Sequence, residues 1–208
     1  MCDEMKSLER YIKLGMLLCT IFCAFLIGNR FGLDDGVSKG LVKLGKNIAG
    51  YEERITMTKT QGREPIPILG SEYIEQDIYI GENVVKAGKM MLEIDVANYV
   101  RINHGELYVD IKQGEVVQTY VTDVSKITED KTIRLVVDMN DYKEGEVSVK
   151  FYAPAATSDN CIAVFVINDL EVYKELNHNG TFVEKNACID LAIPANHVRA
   201  DFVFLKGQ

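Results

Sequence analysis

The chain has 208 residues, a formal net charge of -8, and a composition that is 47% hydrophobic and 26% charged. These values are ordinary for a globular protein, and the length allows one domain of roughly 150 residues plus a further segment. The acidic net charge argues against sequence-independent binding of nucleic acid, which needs clustered Lys and Arg.

An uncharged, apolar run covers residues 14–28. With Tyr11 and Ile12 at the interface and Lys13 snorkelling, it approaches the roughly 20 residues that a bilayer requires. The sequence therefore predicts a short cytoplasmic tail over residues 1–10 and a single uncleaved transmembrane anchor over residues 11–30.

A cleaved signal peptide and a buried core helix are the alternatives to this anchor. A signal peptide needs small residues at its cleavage site, which 29–32 do not supply, and Cys19 and Cys23 lack the small preceding residues of a lipoprotein signal. A core helix would be amphipathic, whereas this run is apolar all round. Lys and Arg are equally frequent on both flanks, so charge does not set the orientation.

Residues 31–50 form the predicted juxtamembrane linker. Apolar side chains recur there at helical spacing, and three glycines interrupt them, at 36, 40 and 45. The spacing favours an amphipathic helix lying against lipid or a partner, and the glycines favour a flexible tether. Both interpretations stay open.

From Tyr51 onward the sequence predicts about ten short strands separated by turn signals. They cover residues 52–59, 73–80, 116–121, 132–137, 146–152, 161–167, 171–175, 181–185, 187–193 and 199–205. Short strands without long helical patterns are typical of an antiparallel β-sandwich. We expect residues 51–208 to form an all-β, jelly-roll-like sandwich outside the cytoplasm.

The longest alternating segment, residues 90–112, predicts an antiparallel hairpin with His104-Gly105 as its two-residue turn. The pairs that follow from this turn are Ile102–Leu107, Val100–Val109 and Asn98–Ile111. One face of the hairpin would then lie in the core. The predicted core residues are Leu92, Ile94, Val96, Val100, Ile102, Leu107, Val109, Ile111, Val164 and Val166.

Three short motifs carry a resemblance to a known module. They are residues 74–80 (IEQDIYI), the pattern Tyr99-x-Arg101-x-Asn103-x-Gly105, and residues 114–117 (GEVV). Residues 74–165 resemble the jelly-roll, carbohydrate-binding-like module in extracytoplasmic parts of bacterial membrane proteins linked to cell-surface polysaccharide assembly. Those proteins usually carry many membrane spans. The resemblance implies a location in the cell envelope and a neighbourhood of polysaccharide.

The candidate ligand-binding residues are Tyr99, Arg101, Asn103 and Tyr108, which the predicted hairpin places on its polar face. A guanidinium, two tyrosine rings and an amide on a flat sheet can bind a sugar by stacking and hydrogen bonding. In the structural alternative, Arg101 pairs with a strand-face carboxylate and Asn103 closes the turn.

Catalytic motifs are missing from the sequence, which predicts neither a cofactor nor a metal. The histidines at 104, 178 and 197 have no metal-ligand spacing. Glu93, Asp95 and Asp110 would share the polar face of the hairpin, and paired carboxylates can hydrolyse glycosides. The sequence thus leaves two functions open: a non-catalytic binding or accessory module for cell-surface polysaccharide, and an envelope enzyme that acts on polysaccharide.

Two cysteines, Cys161 and Cys188, fall within the predicted domain. An extracytoplasmic location would allow them to form a disulfide. Free Cys is also among the most buried residue types, so two buried thiols are the alternative.

Overall fold

The computed structural model describes residues 51–56, 61–168, 172–196 and 198–205. Its strands belong to one compact unit, Gly50–Gln208. The strands are β1 (Tyr51–Arg54), β2 (Glu64–Pro67), β3 (Tyr73–Ile80), β4 (Lys89–Ala97), β5 (Glu106–Gln113), β6 (Val116–Asp123), β7 (Lys131–Asp138), β8 (Gly145–Tyr152), β9 (Ala163–Ile167), β10 (Leu176–His178), β11 (Thr181–Val183), β12 (Asn186–Ala187), β13 (Ile189–Pro194) and β14 (Val203–Leu205).

Helical structure in the described residues is limited to α1 (Glu82–Ala87) and one 3-10 turn, Val124–Lys126. No helix among these residues has the length and apolar character needed to cross a membrane. The anchor predicted over residues 11–30 and the linker over 31–50 lie outside the described residues.

Sheet A is organised around β4. One edge of β4 pairs with β7 along its whole length, from Lys89 opposite Asp138 to Val96 opposite Lys131. The other edge pairs first with β13 and then with β9. β1 extends the sheet beyond β13, and β2 and β12 pair with β9.

Sheet B has the strand order β11-β10-β3-β8-β5-β6-β14, and neighbouring strands run antiparallel. The longest ladder joins β3 to β8, from Tyr73 opposite Tyr152 to Ile80 opposite Gly145. Two antiparallel sheets with a shared apolar interior form a β-sandwich, which confirms the predicted all-β, antiparallel sandwich.

The core follows from alternation along the strands. In β3, Ile74, Gln76, Ile78 and Ile80 face inward and are at most 1% exposed, while the residues that alternate with them face outward. Eight of the ten predicted core residues are buried: Leu92, Ile94, Val96, Leu107, Val109, Ile111, Val164 and Val166. Burying each such side chain stabilises the fold by about 1.5–3 kcal/mol.

The predicted hairpin over residues 90–112 is wrong. β4 belongs to sheet A and β5 to sheet B, and residues 98–105 connect the two sheets instead of forming a turn. Val100 and Ile102 are 93% and 73% exposed, so they are not core residues. The hairpin fails because both edges of β4 are already occupied, by β7 and by β13 with β9.

Most other connections also cross between the sheets. The strands predicted on either side of residues 138–145 are present as β7 and β8, in sheet A and sheet B respectively. Within the described chain, successive strands form hairpins at β5–β6 and β10–β11. The second hairpin turns at Asn179-Gly180, where both residues have positive φ, 54° and 84°, as a tight hairpin turn requires. The strand before this turn lies at 176–178 and not at the predicted 171–175.

The connections gather at two opposite ends of the sandwich. Ala97, Glu106 and Ala163 are strand termini at one end, which therefore holds the loops 98–105, 124–130 and 153–162. The described domain begins at the other end, because Tyr51 lies opposite Pro194 on the side of sheet A where β4 starts. We call the end with the three loops the distal end.

Candidate binding face

The structure separates the four predicted ligand-binding residues. Tyr108 lies on the outer face of sheet B, as part of β5. Tyr99, Arg101 and Asn103 lie in the connection 98–105 and share no strand face with Tyr108. The polar face predicted for the hairpin therefore does not exist, although the outer face of sheet B keeps one of its residues.

Tyr108 belongs to a row of side chains that crosses sheet B. Its register neighbours are Tyr152 and then Tyr73 on one side, and Val121 and then Val203 on the other. The rings of Tyr108 and Tyr152 stack with centroids 5.2 Å apart and planes 11° apart. Three tyrosines on three adjacent strands thus form an aromatic row.

A second, polar row runs beside the tyrosines. In register order it contains Asn177, Glu75, Lys150, Asp110 and Thr119. The Lys150 ammonium lies 4.1 Å from the centroid of the Tyr73 ring, a cation–π contact that links the two rows. The face therefore alternates aromatic and hydrogen-bonding groups over neighbouring strands.

The carboxylates of this polar row accept hydrogen bonds from neutral groups. Asp110 accepts hydrogen bonds from Thr119 Oγ1 at 2.7 Å and from the Tyr152 hydroxyl at 3.3 Å. Glu75 accepts one from Ser148 Oγ at 2.6 Å. Burial, followed by the nearby Asp110 carboxylate, raises the pKa of Tyr152 to about 12, so its hydroxyl remains a donor at neutral pH.

A cleft of about 760 Å³ adjoins the same face beside β3. Its lining includes Asp77, Tyr79, Glu146, Lys174 and Phe182. Tyr79 and Phe182 are 58% and 66% exposed. With Glu175, which also lines it, the cleft offers two accessible aromatic rings and three carboxylates.

The charges in the cleft differ in their surroundings. Burial first, then the carboxylates of Glu75 and Glu146, raise the pKa of Asp77 above its usual value. Lys174 forms an ion pair with Glu146, which raises the pKa of Lys174. Two neighbouring carboxylates in different environments are a feature of general acid catalysis.

The outer face of sheet A does not contribute to this site. Glu93, 8% exposed, pairs with Arg54 at 2.6 Å and Arg134 at 3.0 Å. Asp95 pairs with Arg63 at 2.6 Å. The expectation that Glu93 and Asp95 share a face with Asp110 is therefore wrong, because they lie on opposite sheets.

The connection 98–105 has its own geometry. The Arg101 guanidinium lies 5.2 Å from the centroid of the Tyr99 ring and donates a hydrogen bond to the Ser158 carbonyl at 3.1 Å. Asn103 is fully buried, and its Nδ2 donates to the Asn98 carbonyl at 3.0 Å. Arg101 therefore does not pair with a strand carboxylate, and Asn103 does not close a hairpin turn.

Cys161 and Cys188 are free and buried. Burial is the main reason that the pKa of the Cys188 thiol is raised to about 12. His104 lies in the connection 98–105, His178 ends strand β10, and His197 is outside the described residues. Over the described part of the chain, no group of three or more His, Cys, Asp or Glu side chains could hold a metal ion.

Sequence reasoning missed Tyr73 and Tyr152. Both stand at outward positions of correctly predicted strands, next to core residues Ile74 and Phe151. The alternation could have placed them on an outer face, but only the strand pairing brings them beside Tyr108. No family model matches this chain, and no curated protein matches it.

Proposed function

We propose that this protein is a non-catalytic, single-pass membrane protein of the bacterial cell envelope whose β-sandwich binds cell-surface polysaccharide. The binding surface is the outer face of sheet B. The observation that carries this proposal is the pair of adjoining rows, aromatic and polar, that cross the strands of that sheet.

The chemistry of these rows suits an extended chain of sugars. Hydrogen-bond acceptors and donors recur from strand to strand, and strands lie about 4.8 Å apart. The Tyr108 and Tyr152 rings cover each other's faces, so a sugar ring meets their edges and hydroxyls. Binding therefore depends on hydrogen bonds to Asp110, Lys150 and Glu75 as well as on apolar contact.

The membrane anchor and the location outside the cytoplasm are supported by the sequence. The apolar run over residues 14–28, extended by its flanks to the predicted anchor over 11–30, approaches the length of a bilayer span and lacks a cleavage site. The jelly-roll-like character and the polysaccharide neighbourhood are supported by the resemblance carried by residues 74–165.

The second candidate function is polysaccharide hydrolysis in the cleft beside β3. It is favoured by the raised pKa of Asp77, beside the ion-paired Glu146. In such a reaction Asp77 would protonate the leaving oxygen and Glu146 would act as the base or nucleophile. Glu93 and Asp95 are unsuited to this role because arginines neutralise both of them.

Glycan-array binding by the purified full chain tests the main proposal. Tyr152→Ala is expected to lower affinity about tenfold or more, because truncating a central aromatic contact often costs about 2 kcal/mol. Tyr79→Ala is the matched variant: it removes an exposed tyrosine from the same sheet face, but at the cleft.

The two tyrosine variants separate the candidates. Loss of glycan binding in Tyr152→Ala, with binding retained in Tyr79→Ala, supports the aromatic and polar rows as the binding site. The reverse result, together with sugar release that disappears in Asp77→Asn, would support the cleft enzyme. Absence of binding and of hydrolysis across the array contradicts both.

A further inference from the structure

The distal end of the sandwich carries an exposed apolar tip, which we define as residues 99–102. Its side chains include Val100 at 93% exposure, Ile102 at 73% and Tyr99 at 39%. Val100 and Ile102 are the two most exposed of the large hydrophobic residues in the described chain. Two branched aliphatic side chains thus stand in water at adjacent outward positions.

The backbone of the tip is held in an unfavourable conformation. Tyr99 and Val100 have φ of 57° and 55°, in the left-handed region. A β-branched residue rarely adopts this conformation, and such strain persists only when surrounding contacts enforce it. Strained, solvent-exposed positions of this kind concentrate at functional sites.

Asn98 makes most of the contacts that hold the backbone of the tip in this conformation. It is fully buried, and its Oδ1 accepts a hydrogen bond from the Val100 N–H at 2.9 Å. Its Nδ2 donates to the carbonyls of Arg101 and Ile127, each at 3.1 Å. The tip is thereby fixed from inside while its apolar side chains remain outside.

The loop 153–162 holds the other side of the tip through hydrogen bonds. Asn160 accepts from the His104 N–H at 2.6 Å and donates to the His104 carbonyl at 2.9 Å. Arg101 donates to the Ser158 carbonyl and contacts Cys161 Sγ, each at 3.1 Å. A surface fixed in this way loses little conformational entropy when it binds.

We propose that the tip is a preformed docking site for a protein partner that presents an apolar pocket with a basic rim. Val100 and Ile102 enter the pocket, and the stacked Tyr99 and Arg101 flank it. Tyrosine and arginine are enriched among residues that dominate protein interfaces, and such residues cluster in well-packed, desolvated centres.

The charge and the side-chain chemistry around the tip favour a protein partner over anionic lipid or a sugar. Exposed carboxylates lie in the two loops that contact residues 98–105: Asp130 accepts a hydrogen bond from the Asn98 N–H at 2.9 Å, Glu129 precedes it, and Asp159 lies between Ser158 and Asn160. The cations in the described loops 98–105, 124–130 and 153–162 are Arg101 and Lys126, whereas binding to anionic lipid requires a basic cluster. Aliphatic side chains supply neither hydrogen bonds nor a flat ring for a sugar.

The position of the tip also suits a docking role. It lies at the distal end, opposite the point where the chain enters the domain at Tyr51.

Site-specific crosslinking in cells tests this proposal. A photoreactive phenylalanine derivative replaces Ile102 in the full chain, and the control position is Val117, a 50% exposed aliphatic residue of β6 near the opposite end. The protein crosslinked at 102 is identified, purified and titrated against the wild-type chain and its variants. Val100→Asp is expected to weaken binding about tenfold or more, and Val117→Asp to leave it unchanged.

A further variant separates docking from a structural role. Asn tolerates the left-handed region, so Val100→Asn is expected to raise the melting temperature and still weaken binding. A tip that serves only the fold would lose no binding in this variant.

Three results would overturn the proposal. One is crosslinking at position 102 no stronger than at 117. Another is sedimentation with phosphatidylglycerol–phosphatidylethanolamine vesicles that depends on Val100, which would make the tip a lipid contact. The third is self-association of the wild-type chain in sedimentation velocity that Val100→Asp abolishes, which would make the occupant a second copy.

Discussion

The carboxylates on the two outer faces of the sandwich have different kinds of partner. On sheet A, Glu93 and Asp95 are ion-paired with arginines, and Glu93 is almost fully buried by its two partners. On sheet B, Asp110 and Glu75 are hydrogen-bonded by hydroxyl groups and lie beside tyrosines. The charges of Glu93 and Asp95 on sheet A are neutralised by arginines, whereas sheet B leaves hydrogen-bond acceptors and tyrosine rings at its surface.

This difference shows which face can bind a ligand. A carboxylate held by two guanidinium groups offers few free lone pairs, and removing its partners would expose uncompensated charge. A carboxylate held by a threonine or a tyrosine can exchange those hydrogen bonds for bonds to a sugar hydroxyl. Glu93 and Asp95 on sheet A therefore stabilise the fold, whereas Asp110 and Glu75 on sheet B have neutral partners that a ligand can replace.

The largest expected effect is that of Glu93→Gln. The substitution keeps the shape of the side chain but leaves Arg54 and Arg134 without their shared counter-charge. We expect the free energy of unfolding in urea to fall by about 2 kcal/mol. Asp110→Asn is the matched control, with an expected loss below about 1 kcal/mol because its partners are neutral. Equal losses of unfolding free energy in the two variants would contradict the proposed difference between the two outer faces.

The buried and half-buried tyrosines of sheet B should make stability fall at alkaline pH. The pKa of Tyr152 and that of the inward-facing Tyr120 are raised to about 12, mainly by burial. An unfolded tyrosine releases its proton near pH 10, so between pH 10 and about 12 the folded state binds more protons and stability falls as pH rises.

Urea midpoints measured across this pH range test the prediction. Arginine stays charged throughout, so the network on sheet A adds nothing to the slope. Tyr152→Phe is expected to reduce the slope. A profile that is flat up to pH 12, or unchanged in Tyr152→Phe, would contradict the assignment.

The smallest effect is expected at Asp77. Its raised pKa means that the folded state keeps a proton which the unfolded state releases as pH rises past about 3.8. The charged form therefore costs stability at neutral pH, and Asp77→Asn should raise stability by less than about 0.5 kcal/mol, since solvent screens a mostly exposed group. The gain should vanish below pH 3.8, where both states are protonated.

Asp123 provides the control of opposite sign. Hydrogen bonds from Ser125 lower the pKa of Asp123, so its contribution is present at neutral pH and is lost as pH falls. Asp123→Asn should therefore lower stability at neutral pH. The same direction of change in both variants would show that local charge does not control these carboxylates.

Local patterns in the sequence predict the strands well but not their partners. β3 has the predicted bounds, Tyr73–Ile80, and the inward positions of β4, β5 and β9 are buried as expected. Alternation and turn signals act over a few residues, which is why they succeed for these features.

The same signals fail at residues 98–105. Val100 and Ile102 continue the alternation of β4, and Gly105 has the positive φ that suits a turn, yet the chain crosses to sheet B there. The pairing of β4 is decided by β7 and β13, strands about 40 and 100 residues away in sequence. The binding face was missed for the same reason, since Tyr73, Tyr108 and Tyr152 meet only through long-range pairing.

The position of β13 has a consequence for how the protein is made. This strand, near the end of the chain, lies between β1 and β4, so sheet A is completed only after residue 194 has been synthesised. Until then β1 lacks its described partner, and one edge of β4 is open to pairing with other chains. Contacts this distant in sequence predict folding in milliseconds to seconds. A nascent chain paused before β13 is therefore the species most exposed to aggregation and most dependent on a chaperone.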